Sequence, residues 1–195
     1  MKRGVKTTQK ANGAIRIISG RWRGRKLPVI DVQGLRPTTD RNKETLFNWL
    51  MPYTQNARCL DAFAGSGGLG FEALSRYAQS VVFIELDKKA AAKLNENLKL
   101  LNIEAQQAKV MLGSAEQMLD KIDQTFDLIF LDPPFNKNLL PAVIDKIAVR
   151  DLLAPDGVIY IESEGQCIYS VPDDWQMIKE KQTSQVLVRL YQRVA

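Results

Sequence analysis

From Ala57 onward the chain alternates short, almost wholly apolar segments with amphipathic ones, and few folds accept that pattern. The segments "ARCLDAFAG", "SVVFIELD", "AKVMLGS", "FDLIFLDPPF" and "GVIYIES" read as strands. Between them "GGLGFEALSRYA", "KKAAAKLNENLKLLN", "AEQMLDKI" and "NLLPAVIDKIAV" read as helices, the second with apolar residues at 90, 94, 98 and 101. Strands that are apolar on both faces must be covered on both, and helical crossovers leave them parallel. The tail breaks the pattern. "WQMIKEKQ" and "QVLVRLYQR" are separated only by a polar turn, so an antiparallel pair is expected there.

The first 56 residues differ in character. Residues 1–43 hold 12 Lys or Arg against Asp31 and Asp40, while the rest of the chain is net acidic. The overall charge of +5 is therefore N-terminal in origin, which suits a polyanionic partner. Residues 1–12 are expected to form a flexible basic arm, for which a merely solvated tail is the competing reading. "AIRIISGRWRGRKLPV" reads as a short curled hairpin with Arg16, Arg21, Arg23, Arg25 and Lys26 facing solvent. "LRPTTDRNKETLFNWL" reads as a helix capped within Thr38 to Asp40 and ending before Pro52.

Several chemistries are excluded at this level. The chain has no histidine, and Cys59 and Cys167 lie far apart in sequence, so zinc sites, Ser-His-Asp triads and histidine bases are not expected. No apolar run reaches the roughly 18–20 residues that span a bilayer. "MKRGVKTTQK" has no apolar stretch behind its charges, so a cytoplasmic protein without a membrane partner is expected.

"LDAFAGSGGLG" holds a G-x-G-x-x-G at Gly65, Gly67 and Gly70, between a strand and a helix. Glu85 ends the next strand. Glycines let backbone approach a ligand, a helix start offers N–H groups to it, and the acid can accept from two ribose hydroxyls. The glycines alone fit a nicotinamide dinucleotide equally well. Asp61 discriminates, because a carboxylate there is poorly placed beside a pyrophosphate but suits the ammonium of a methionine-like group.

These residues resemble the class I S-adenosylmethionine-dependent methyltransferases. The resemblance implies a Rossmann-like three-layer sandwich with a mostly parallel seven-stranded sheet, the antiparallel C-terminal pair and a short basic N-terminal hairpin. It implies S-adenosylmethionine as cosubstrate, with no metal, and assigns Asp61, Gly65, Gly67 and Glu85 to it. Ser114 and Ala115, in "GSAEQ" after the third core strand, become candidates for the adenine contact.

"DPPF", Asp132 to Phe135, resembles the motif of methyltransferases that modify planar amino nitrogens. The lone pair of an exocyclic base amine is delocalised into its ring. Two acceptors gripping its N–H groups favour a pyramidal nitrogen with the lone pair aimed at the methyl donor. Asp132 supplies one acceptor and the Pro133 carbonyl the other, while the prolines fix the backbone that holds them. Phe135 would stack on the base, worth about 1–3 kcal/mol. A strand end with Phe135 packed inward is the plain alternative.

The motif leaves guanine, adenine, cytosine and protein glutamine open. With "IRIISGRWRGRKL", "LRPTTDRNKETLFNWL" and "VRLYQR" the match narrows, from about Ile15 to Arg193, to the bacterial 16S rRNA guanine-N2 methyltransferase family, RsmD. Phe135 stands where tyrosine is usual. The resemblance implies methylation of one guanine N2 in 16S rRNA, in an assembled or partly assembled small subunit, by a monomer.

On that reading residues 13–195 form one methyltransferase domain, with 13–56 an appendage and 57–195 the catalytic core. Arg16, Arg21, Arg23, Arg25, Lys26 and Arg36 would contact RNA, with Trp22 stacking or wedging; packing beneath the hairpin is the rival reading for Trp22. Three other functions compete. A DNA or protein amino-group methyltransferase would share the motif, a non-catalytic RNA-binding factor would not need it, and a nicotinamide oxidoreductase would share only the glycines.

Overall fold

The computed structural model describes residues 13–30, 40–183 and 185–194. The expected arm over 1–12, the candidate Arg36 and the capping residue Thr38 lie outside them, and the side chain of Asp40 is not described. Two short antiparallel strands, β1 (Ala14–Arg16) and β2 (Lys26–Pro28), precede α1 (Asp40–Thr54). There follow β3 (Arg58–Asp61), α2 (Gly68–Ser75), β4 (Ser80–Glu85), α3 (Lys88–Leu100), β5 (Ala108–Leu112) and α4 (Ala115–Leu119). The chain continues through β6 (Phe126–Leu131), α5 (Leu140–Val149), β7 (Leu153–Glu164), β8 (Trp175–Gln182) and β9 (Val186–Arg193).

Seven strands form one sheet in the order β5-β4-β3-β6-β7-β9-β8. From β5 to β7 neighbours are parallel, and β9 pairs antiparallel with both β7 and β8. The expected mostly parallel sheet with its antiparallel C-terminal pair is what the chain forms. Alternation within the apolar strands explains why they carry almost no polar residues. Cys59, Val81, Leu128 and Val158 face one hydrophobic cluster, with α1, α2, α3 and the β1–β2 hairpin. Leu60, Val82, Ile129 and Ile159 face another, filled by Leu119 of α4 and by Val143, Ile144 and Ile147 of α5.

One expectation about α1 is corrected. The helix does not stop before Pro52 but runs through it to Thr54. Proline removes one backbone donor and crowds the preceding turn. Here Leu50 is fully buried on the inner face, and buried Thr54 donates its hydroxyl to the Leu50 carbonyl at 2.7 Å. Anchoring on both sides of Pro52 holds the last turn in place.

The hairpin is fastened to α2 through a buried carboxylate. Glu72 accepts the backbone N–H groups of Ile18 at 2.8 Å and Ser19 at 3.0 Å, and the Nε–H of Arg76 at 2.7 Å. Ser75 adds a hydroxyl bond to the Ser19 carbonyl and accepts the Trp22 N–H at 3.0 Å, while its own carbonyl accepts the Arg21 N–H at 2.7 Å. Gly20, at φ +79°, lies so close that a Cβ there would be 1.8 Å from the Ser75 carbonyl oxygen.

Close approach also governs Gly70 in α2. A Cβ at Gly70 would lie 2.2 Å from the ring of Phe83, which is fully buried and packed on Phe71 with centroids 5.1 Å apart. Gly70→Ala is expected to cost about 2–3 kcal/mol by overpacking. A urea titration of the two proteins checks this, with a lower midpoint and an unchanged slope expected.

Candidate active site

Strand order reverses between β3 and β6: the chain runs outward from β3 through β4 to β5, then returns to β6 on the other side. At such a switch point, crossovers leave in opposite directions and a crevice stays open at the carboxyl ends of the strands. A cavity of about 1710 Å³ opens there. It exceeds the roughly 300–1,000 Å³ common for one small ligand, so two ligands can meet in it.

One end is built by the β3–α2 loop, the end of β4 and the β5–α4 turn. Asp61, Gly65, Glu85, Ser114 and Ala115 all line it. Gly65, at φ +52°, donates its N–H to Glu85 Oε2 at 2.7 Å, and Asp87 donates its N–H to Oε1 at 2.7 Å. The glycine turn and the acid twenty residues later are thus one hydrogen-bonded unit. Ser114 also caps α4, its Oγ accepting the Gln117 N–H at 3.3 Å.

Asp61 is only 2% exposed and accepts the Gly70 N–H at 3.0 Å. Burial pushes its carboxyl up to about 7, with the Glu85 charge adding and the N–H groups of Gly70 and Phe63 opposing. Gly67, the other glycine assigned to the cosubstrate, is not among the residues that line the cavity. At φ +81° it caps α2, and a Cβ there would meet Phe71 at 2.5 Å and Leu94 at 2.6 Å. Its hydrogen atom makes room for protein.

At the other end Asp132, Pro133 and Phe135 follow β6, and all three line the cavity together with Tyr160 and Glu162 of β7. Asp132 accepts no hydrogen bond from any described residue. Its carboxyl is held well above the ordinary range, first by burial and then by the charges of Glu162 and Asp61. The Tyr160 hydroxyl donates to Glu162 Oε2 at 2.7 Å. Beyond the prolines, the Asn136 N–H bonds to Glu164 Oε1 at 3.0 Å, tying the loop to the end of β7.

Arg16, Arg21, Arg23, Arg25 and Lys26 are exposed, as expected. Arg16 and Lys26, directly opposite in the hairpin, also line the cavity. The other three sit on the 20–25 turn. Of the two placements open to Trp22, the structure has the packed one: it is 9% exposed and belongs to the core beneath the hairpin. An indole gains more from that packing than from solvent, and the exposed Arg21 guanidinium lies 5.2 Å from its ring centre.

Sequence reasoning missed Glu162, Tyr160 and Lys43, all of which line the cavity. "IYIES" showed a buried strand, and its one usable signal was an acid at the strand's carboxyl end. Lys43 carries no sequence signal beyond its place near a helix start, yet it is buried, 3.9 Å from Glu72, and donates to the Arg16 carbonyl.

A family model described as conserved hypothetical protein 95 matches residues 15–192. Ribosomal RNA small subunit methyltransferase D of Haemophilus influenzae is 50% identical over 187 residues, covering 95% of this chain and 97% of that protein. The protein of the same name from Escherichia coli K12 is 47% identical over 191 residues, covering 97% and 96%. Among solved structures, the Escherichia coli protein yhhF, described as a candidate methyltransferase, matches with a TM-score of 0.86 at 46% identity. That match covers 94% of this chain and 99% of the other.

Proposed function

Because the chain belongs to the conserved hypothetical protein 95 family, the RsmD family, we propose that it methylates N2 of one guanine in the 16S rRNA of the small ribosomal subunit. The methyl donor is S-adenosylmethionine. The observation that carries this reading is Asp132: a carboxylate without a hydrogen-bond partner among the described residues, lining one cavity with a glycine turn joined to an acid.

The residues present fit the cosubstrate, which supplies a methyl group on electron-poor sulfur. Asp61 would hold its ammonium, Glu85 its ribose hydroxyls, Gly65 would let the backbone come close, and Ser114 and Ala115 would flank the adenine. At the acceptor end Asp132 and the Pro133 carbonyl hold the two N–H groups of the amine, and Phe135 stacks on the base. Once methylated, the nitrogen is acidic and gives its proton to Asp132 or to water. A guanine drawn from a loop reaches this site at less cost than a paired one.

Arg16 and Lys26 at the cavity, with Arg21, Arg23 and Arg25 beyond, would meet phosphates, and Arg36 is assigned with them. Residues 13–56 serve as the RNA-facing element of one methyltransferase domain, with 57–195 its catalytic core. The substrate is an assembled or partly assembled subunit, the enzyme is a monomer, and its place is the cytoplasm. No helix among the described residues is long and apolar enough to cross a membrane.

Methyl-labelled S-adenosylmethionine, offered with naked 16S rRNA, unmodified small subunits and duplex DNA, tests the proposal. Label is expected in N2-methylguanosine from the RNA arms, most from subunits. Label only in DNA, or only in the proteins of the subunits, would move the activity to another amine.

Asp61 adds a pH dependence. Its folded carboxyl is raised, so from pH 3.8 to about 7 the unfolded chain gives up a proton that the folded one keeps. Its contribution therefore favours the fold at low pH and is lost as pH rises through that window. Cofactor binding runs the other way, since only the ionised form holds an ammonium. Affinity should weaken about tenfold from pH 8 to pH 6. Calorimetric titration should show that fall in the wild type and a nearly flat, weaker profile in Asp61→Asn.

A further inference from the structure

β6 and β7 run parallel in strict register at their carboxyl ends, Phe130 beside Tyr160 and Leu131 beside Ile161. Asp132 follows directly on β6; continued in that register it faces Glu162, whose charge acts on its carboxyl and which lines the same cavity. Side chains two apart on a strand share a face, so Phe130 and Asp132 project to the same side as Tyr160 and Glu162. The Phe130 and Tyr160 rings meet accordingly, with centroids 6.3 Å apart. Glu162 is partly buried and lines the acceptor end of the cavity.

Its carboxylate is also held in place. Tyr160, 2% exposed, donates its hydroxyl to Oε2 at 2.7 Å. A second carboxylate beside Asp132 is a cost, because like charges at this spacing oppose each other. Methyl transfer as derived above does not use it. Something about the substrate must make that cost worthwhile.

Base chemistry supplies the reason. In guanine the carbon bearing the amino group adjoins a ring nitrogen that carries hydrogen, N1–H. In adenine and cytosine the ring nitrogen beside the amino carbon is a bare lone pair. A carboxylate next to the group that grips the amine therefore meets a donor in guanine alone. The other two bases present it with a lone pair, and an acceptor facing an acceptor in a dry pocket is a mismatch.

We propose that Glu162 is the base-selecting residue: it accepts the N1–H of guanine beside the amine held by Asp132, and Tyr160 positions it for that contact. This inference rests on the guanine-N2 reading above and deepens it from a reaction to a recognition rule. Glu162 excludes adenine and cytosine by repulsion as much as it admits guanine by attraction.

The test replaces the target guanine by 2-aminopurine, which keeps the 2-amino group but has a lone pair at N1. The methylated nucleotide is first mapped in wild-type reactions, and small subunits are then reconstituted with ligated 16S rRNA carrying either base there. Wild-type enzyme should prefer guanine by about 10- to 100-fold in kcat/KM, the worth of one well-made base contact. In Glu162→Gln the amide can donate to the bare N1, so the preference should vanish or invert. In Tyr160→Phe it should fall severalfold while S-adenosylmethionine binding is kept.

An unchanged guanine preference in Glu162→Gln overturns the inference and leaves the methylation reading standing. Where that variant does not bind S-adenosylmethionine and so has lost its fold, Tyr160→Phe decides, and an unchanged preference there overturns the inference as well. Wild-type enzyme that labels no guanine in any subunit overturns both readings at once.

Discussion

Asp132→Ala should lose about a thousandfold or more in methyl transfer, from lost orientation and lost proton acceptance together. S-adenosylmethionine binding should persist, because its ammonium and ribose contacts are assigned to Asp61 and Glu85 rather than to Asp132. Asp132→Asn keeps the shape and one acceptor oxygen but turns a donor toward the amine, so an intermediate loss is expected. Single-turnover kinetics with prebound cofactor, beside a binding titration, separates the two effects. A variant that transferred methyl groups normally would make Asp132 a plain strand terminus.

On the proposed mechanism the same residue should set the acid limb of the rate profile. Burial and the charges of Glu162 and Asp61 hold its carboxyl well above the ordinary range, so activity should rise with pH beyond where an exposed aspartate has finished titrating. Asp61 titrates in the same site. Rates at saturating cofactor isolate Asp132 from it.

Glu72→Ala should be the most destabilising single change outside the cavity, at about 3–5 kcal/mol. It strips a fully buried carboxylate that accepts two hairpin N–H groups and pairs with Arg76 and the buried Lys43. Removing the acceptor leaves those donors without the bonds that offset their desolvation. Gly20→Ala attacks the same joint from the other side, by driving a methyl into the Ser75 carbonyl. Urea unfolding measures the loss, and hydrogen exchange at Ile18, Ser19 and Trp22 should show that it begins in the hairpin. Protection unchanged at those three amides would mean the carboxylate does not fasten the hairpin.

The two classes of residue differ in how far the sequence could reach them. Gly65 and Glu85 were visible because a strand, a tight turn and a helix place residues about twenty apart at one edge, whatever the rest of the chain does. Asp132 became a candidate only through its context, because two prolines after an apolar run also simply end a strand, and the motif gains meaning from the glycine turn and acid that precede it. Gly67 belongs to the same motif, yet whether its missing side chain admits a ligand or a neighbour depends on Phe71 and on Leu94 of a later helix. Trp22 posed the same question, and its placement in the core beneath the hairpin was decided by packing against residues distant in sequence. Pro52 misled because local rules treat proline as a stop, while burial of Leu50 and Thr54 carried the helix past it.

The sequence by itself determined the α/β class, the order of the core elements, the antiparallel tail and the basic character of the hairpin. Each rests on periodicity or spacing within about one βαβ unit, where chain connectivity limits the geometry. Only the tertiary structure decided that Glu162 shares the cavity with Asp132 and acts on its charge, that Glu72 lies beneath Ile18 and Ser19, and that Lys43 is buried against both helix and hairpin. Those pairings join residues 27 to 54 positions apart through strand register and helix docking. A one-residue slip would turn every side chain of a strand to the opposite face, and no local pattern of residue types records which register the packed core selects.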